Sequence, residues 1–214
     1  MSFDKILNET LRHEGFYAFV PGDSGGETYQ GIARNYHPSW PGWIHIDMAK
    51  AQAGGKLPWN TQVKAVEIND LVKAFYLEKF WKRAQLDYIQ NTALQAQIFD
   101  FFVNAGGNAI KVLQRTLNKS FSLNLSVDGA MGPMTIGAIN SVDGALLFEQ
   151  YKLARVEYYE ALAQKNSTLK KFLSGWKKRA MAFVYADWQV YGLGSLALVL
   201  IGGIILMHYG KFSI

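Results

Sequence analysis

Near its start the chain repeats at helical spacing. Phe3, Ile6, Leu7, Thr10, Leu11 and Glu14 fall on one face of a 3.6-residue turn, so the pattern predicts an amphipathic helix whose stripe ends in a carboxylate. Ser2 stands at its N-cap position, Asp4 in its first turn and Gly15 where it would stop. Residues 16–32 lose that period. Pro21, Gly22, Gly25, Gly26 and Gly31, mixed with Asp, Ser and Thr, predict turns and short strands. Residues 36–60, with Trp40, Trp43 and Trp59, read as an irregular connection. From a candidate cap at Thr61, residues Val63, Val66, Leu71, Val72, Phe75, Tyr76 and Phe80 predict a helix to about Lys82. Further helices fit 92–104, 107–119, 133–141, 143–165 and 167–190. The fold class is mainly α (α+β): a helical body with a small N-terminal β-hairpin element.

The C-terminus has a different pattern. Taking His208 as neutral, no charge occurs from Trp188 to Gly210, and the run Leu196 to Met207 is apolar throughout. About 20 such residues match a hydrocarbon core about 30 Å thick, so a C-terminal transmembrane helix is predicted. Trp188 and Tyr191 flank it on one side, His208 and Tyr209 on the other. Just before it lie Lys170, Lys171, Lys177, Lys178 and Arg179, either a solvated face or an attraction for anionic lipid or wall polymer. The N-terminal residues lack the apolar run of a signal peptide.

Composition narrows the chemistry. The 214 residues are half hydrophobic and include 13 Phe, 11 Tyr and 6 Trp, enough apolar surface for a packed core rather than a disordered chain. Cysteine is absent, which excludes disulfides, a thiol nucleophile and thiolate zinc sites. His13, His37, His45 and His208 show no ligand spacing, so no metal or other cofactor is expected. The net charge of +5 favours an anionic partner; no groove-reading motif accompanies it, so nucleic acid is not expected.

Glu14 is the most informative residue. A carboxyl group set against apolar surface favours its neutral form, the form a glycosidase uses to protonate a leaving oxygen. Asp23 follows in a Gly- and Ser-rich turn, where backbone donors and water would keep it ionised. Two carboxyl groups in unlike surroundings supply an acid and a base or charge stabiliser. Thr28, at the end of the turn, could hold a water or a sugar. The plainer alternatives are a Glu14 ion pair with Arg12 or Lys5, and an Asx-turn role for Asp23.

Several segments carry a resemblance. His13-Glu14-Gly15-Phe16-Tyr17, then Asp23-Ser24-Gly25-Gly26-Glu27-Thr28-Tyr29-Gln30-Gly31-Ile32, resembles the N-terminal signature of glycoside hydrolase family 108, with Phe16 where that family has a second Gly. Tyr76-Leu77-Glu78-Lys79-Phe80-Trp81 and Phe99-Asp100-Phe101-Phe102-Val103-Asn104-Ala105-Gly106 resemble later family motifs. Leu113-Gln114 with Leu117, Val127-Asp128-Gly129 with Gly132-Pro133 and Thr135, and Phe172-Leu173 with Gly175-Trp176 and Arg179 resemble its helical peptidoglycan-binding half. The resemblance covers about residues 6–180.

It implies a lysozyme-like fold and an endolysin-like N-acetylmuramidase that cleaves the β-1,4 bond between N-acetylmuramic acid and N-acetylglucosamine in wall lysis. Glu14 takes the acid role by this resemblance. The Glu14, Asp23, Thr28 spacing also resembles phage-type lysozymes and extends the catalytic set to Asp23 and Thr28. Tyr29 sits beside the candidate site. Asp100 and Asn104 share a helical face and either line the cleft or fix packing as a hydrogen-bonded pair. Asp128 is read as structural; Trp40, Trp43 and Trp59 could stack on sugar rings but are read first as core or loop anchors.

The expected organisation is a catalytic part at 1–105, a peptidoglycan-binding part packed on it at 106–187, and a span with a short tail at 188–214. Expected partners are glycan strands, membrane lipid through the C-terminal helix, and a phage hole-forming protein that would let the membrane-anchored enzyme reach periplasmic wall. Rival readings are a non-catalytic wall-binding or secretion-assisting protein, a lytic transglycosylase, and a membrane-disrupting protein.

Overall fold

A computed structural model describes residues 2–12, 14–21 and 25–188. The protein is mainly helical with one small antiparallel sheet. The order is α1 (Ser2–Leu11), β1 (Tyr17–Phe19), β2 (Glu27–Tyr29), β3 (Ile32–Ala33), α2 (Trp43–Gln52), α3 (Ile68–Tyr76), α4 (Thr92–Ala105), α5 (Gly107–Phe121), α6 (Pro133–Ser141), α7 (Gly144–Lys165) and α8 (Lys170–Met181).

Helix α4 is the axis of the core. Every residue from Ala93 to Phe102 is buried, so it is surrounded rather than amphipathic. Its start is set by Asn91, whose side-chain oxygen accepts from the Leu94 N–H at 3.1 Å. Helices α1 and the Leu77–Trp81 turn pack on it from the N-terminal half, and α5 and α7 from the C-terminal half. One core therefore runs through both halves of the sequence.

The sheet has the order β1-β2-β3, one strand more than the expected hairpin. Register pairs Tyr17 with Tyr29, Ala18 with Thr28 and Phe19 with Glu27, then Thr28 with Ala33. Neighbouring strand residues point to opposite faces. Ala18, Thr28 and Ala33 therefore share one face, and Tyr17, Glu27 and Tyr29 the other.

Three stretches depart from the sequence pattern. The 36–60 connection contains α2, whose apolar residues do not form a stripe: Trp43 and Ile46 are buried while Ile44 and Met48 are exposed. The helix expected from about Thr61 begins only at Ile68. It continues beyond Tyr76 as a π-helical turn, with the Lys82 N–H donating to the Leu77 carbonyl at 2.9 Å. The helix expected over 167–190 stops at Met181. A 3₁₀ turn from Tyr185 follows, because the Tyr185 ring packs on Phe148 and its hydroxyl accepts from the Asn91 amide at 2.7 Å. Among the described residues no helix is long and apolar enough to cross a membrane. The expected span lies outside the described residues.

Candidate active site

Glu14 does not continue α1. The helix ends at Leu11, and the Glu14 N–H donates to the Leu11 carbonyl at 3.1 Å in a closing turn. Gly15 follows at φ +67°, the left-handed conformation that ends helices and suits glycine. This puts the Glu14 carboxylate in the wall of a cavity of about 180 Å³, lined also by Phe16, Ala18, Val20, Thr28, Trp59 and Asn60.

Behind Glu14 stands a cation instead of the apolar wall expected from the sequence. Arg179 of α8 donates from both terminal nitrogens to Glu14 Oε1, each at 3.0 Å. The same guanidinium grips Asp100 at 2.7 Å from Nη2 and 3.1 Å from Nε. Asp100 is fully buried and also accepts from Arg155 Nη2 at 2.6 Å. Arg155 is itself buried, donates to the Tyr159 hydroxyl at 3.2 Å and lies against the Phe101 ring. Burial alone would push the Asp100 carboxyl up; the charges of Arg155 and Arg179 outweigh it and hold it below the usual carboxylate range. For Arg179, burial alone would lower the pKa, and Asp100 and Glu14 reverse this to a net rise. The site therefore contains a chain of alternating charge, Glu14–Arg179–Asp100–Arg155.

The second oxygen of Glu14 is differently placed. Oε2 makes no hydrogen bond to a described residue. It lies over Gly31, at φ +78°, where an added Cβ would stand 2.9 Å from Oε2 and 2.6 Å from the Tyr76 hydroxyl. Only glycine fits that gap. Tyr76 is buried at the junction of α3 with the π-helical turn, and its hydroxyl donates to the Gln30 carbonyl at 2.7 Å. Burial, reinforced by the Glu14 charge, pushes its pKa up, so it stays a neutral donor. The Glu14 side chain is 20% exposed, enough to meet a ligand from the cleft.

The expected residues separate on this geometry. Thr28 shares the cleft with Glu14, and its hydroxyl makes no hydrogen bond to a described residue. Asp23 lies outside the described residues. Tyr29, expected at the substrate, is a core residue with no exposed surface; it stacks on Trp40 and its hydroxyl accepts from the Val63 N–H at 3.3 Å. The pleat is the reason: beside Thr28, it must face the other way. Asp100 also has no access to ligand, being enclosed by two arginines. Asn104, one turn on, is exposed at the end of α4 and does not line the cleft. Arg12 pairs with Glu9 at 3.0 Å, so it is not the partner of Glu14.

Arg179, expected in a basic cluster that is either a solvated face or an attraction for lipid or wall polymer, turns inward instead, while neighbouring Lys177 pairs with Glu160 at 2.6 Å. Its place beside Glu14 had no local signal, since 165 residues separate them. A second acid cluster braces the sheet. Glu27 accepts from the Tyr17 hydroxyl at 2.8 Å and pairs with Lys50 and with Arg34, and Arg34 forks onto Asp47 of α2. Asp128 is a turn residue, accepting from the Gln114 amide and the Ala130 N–H, each at 2.8 Å. Among the described residues no three His, Asp or Glu side chains cluster as metal ligands.

Two segments of the chain match known families. Residues 7–106 match the family model Glycosyl hydrolase 108, and residues 108–181 match the Predicted Peptidoglycan domain. Among solved structures, that of Brucella abortus SagA matches at a TM-score of 0.52 and 23% identity, over 85% of this chain and 94% of that one, a likeness of fold. No curated protein matches. Glu14, Thr28 and Asp100 fall in the first matched segment, Arg155 and Arg179 in the second. The chain thus carries a glycosyl hydrolase 108 domain, which implies glycoside hydrolase activity, joined to a predicted peptidoglycan domain that suggests peptidoglycan as its substrate.

Proposed function

We propose that the protein is an N-acetylmuramidase, hydrolysing the β-1,4 bond between N-acetylmuramic acid and N-acetylglucosamine, with Glu14 as the general acid. One observation carries this reading: a cleft carboxylate fastened through one oxygen and open through the other. Arg179 holds Oε1 and fixes the carboxyl plane. Oε2 is left open to take up a proton from solvent and pass it to the glycosidic oxygen as the bond breaks. The sugar then carries oxocarbenium character, and water completes hydrolysis.

Asp23 is assigned the second role, stabilising that charge or positioning water, on its place in the sequence between Glu14 and Thr28. Thr28 is assigned to a water or a sugar hydroxyl, because its free hydroxyl shares the cleft with Glu14. Every step uses side chains and water, with no cofactor.

The test is Glu14→Gln. The amide keeps the shape but has no acidic proton, and general acid catalysis is worth about 10² to 10⁴ in rate. Wall cleavage should fall by at least about 100-fold while circular dichroism keeps the helical signature. Cleavage within threefold of the parent would remove Glu14 from the acid role. Mass spectrometry of the digest decides the reaction: a reducing muramic acid end marks hydrolysis, an anhydro end a lytic transglycosylase.

A further inference from the structure

Trp59 is out of place by the standard of the other tryptophans. Trp40, Trp43 and Trp81 are buried, and Trp176 stacks on Tyr159 at 5.2 Å between centroids. Trp59 is 71% exposed, with no ring stacked on it and no hydrogen bond from its indole N–H to a described residue. Exposing a ring that could bury its apolar face forgoes stabilisation, so the position calls for a reason.

Its backbone is held firmly. The Asn60 N–H donates to the Tyr17 carbonyl at 2.7 Å, and the Tyr17 N–H to the Thr61 carbonyl at 3.2 Å. The Asn60 side-chain oxygen accepts from the Phe16 N–H at 2.9 Å, and the Thr61 hydroxyl donates to the Pro58 carbonyl at 2.7 Å. These bonds fasten residues 58–61 to the segment that directly follows Glu14. The Trp59 backbone is therefore fixed relative to the segment after Glu14, and Trp59 and Glu14 line the same cavity with Val20 and Thr28.

We propose that Trp59 is a sugar-binding platform, stacking on the apolar C–H face of a pyranose ring of the glycan strand beside the bond that Glu14 protonates. The inference rests on the muramidase reading. A pyranose suits this wall because it has an apolar face for the indole and polar edges. Those edges can meet the indole N–H and the Thr28 hydroxyl. A flat aromatic surface with only two side-chain torsions, carried on a hydrogen-bonded loop, binds such a face at a small cost in side-chain freedom.

The test uses the full-length Glu14→Gln protein, which does not turn over substrate, and a soluble tetrasaccharide of alternating N-acetylglucosamine and N-acetylmuramic acid. Adding Trp59→Ala should weaken binding about tenfold by calorimetry, and Trp59→Phe should recover most of it. In the cleaving parent, Trp59→Ala should raise KM by about tenfold and change kcat less than threefold. Tyr88→Ala, an equally exposed aromatic outside the cleft, should change neither. If Glu14→Gln binds the tetrasaccharide and Trp59→Ala binds it equally well, the platform is overturned and the muramidase reading stands. If Glu14→Gln shows no binding and the parent no cleavage, the muramidase reading falls and the platform with it.

Discussion

Two ionic clusters flank the cleft, and they are built for different ends. The one behind Glu14 joins Asp100 of α4, Arg155 of α7 and Arg179 of α8, and its ion-paired partners lie 55 to 165 residues apart. The one under the sheet joins Tyr17, Glu27, Arg34, Asp47 and Lys50, all within one stretch of chain. The first is buried and touches the candidate acid. The second is partly wet, with Glu27 at 13% side-chain exposure, and touches the cleft only through Tyr17. The sheet brace shapes a wall. The helical cluster couples the two halves of the sequence to the candidate acid, so the segment that matches the predicted peptidoglycan domain also contributes to the acid's setting.

The largest expected difference comes from removing each central acid. Asp100→Asn leaves two guanidiniums facing a neutral amide at a fully buried position. Removing one partner of a buried pair costs about 3–5 kcal/mol, a large share of the about 5–15 kcal/mol that holds a domain together. Glu27→Gln leaves Lys50 and Arg34 partly solvated, and Arg34 keeps its fork on Asp47. Its cost should be about 1 kcal/mol. Urea unfolding of the two variants checks the ranking. Equal losses would mean that the helical cluster is no more demanding than the sheet brace.

A smaller effect on stability, with a clear effect on rate, is expected from Arg179→Lys. A lysine keeps the charge but cannot fork onto Glu14 and Asp100 at once. The Glu14 carboxyl would lose its fixed plane, and misplacement by about 1 Å can cost about 100-fold in rate. Wall cleavage should fall by about 10- to 100-fold, with a modest change in the thermal midpoint. Full activity would show that Arg179 serves packing alone.

Much of this was legible in the chain, for reasons that differ by region. Helices α5 to α7 were close to where their pattern placed them, because their boundaries carry strong local signals: Asp143 caps α7 through the Leu146 N–H at 2.8 Å, and Pro133 opens α6. Glu14 was marked by its place at the end of an apolar stripe. Helix α2 was hidden because its apolar residues point outward as well as inward, and it is held by Trp43 and by the ion pairs of Asp47 and Lys50. Tyr29 was misplaced because adjacency in a strand means opposition in space. The pairing of Arg179 with Glu14 was invisible because an ion pair across 165 residues is made by tertiary packing alone.

The smallest expected effect is in acid, and it separates the clusters once more. The Asp100 and Glu27 carboxyls are both held below their ordinary range. For Glu27, burial pulls upward and is outweighed by the hydrogen bonds from Lys50 and Tyr17 and by the nearby charges. A carboxyl whose folded pKa is depressed gives stability that is present above its unfolded value, about 4, and lost as pH falls through the folded value. Unfolding free energy should therefore be flat from neutral pH down to about 5 and drop below about 4. Glu27→Gln removes one contributor, so its curve should fall less steeply below about pH 4 while starting lower at neutral pH. Denaturant midpoints at pH 7, 5, 4 and 3 for parent and variant measure the two slopes. If the variant's acid slope equals the parent's, the sheet brace adds nothing to the acid limb. The loss would then belong to Asp100 and the remaining depressed acids.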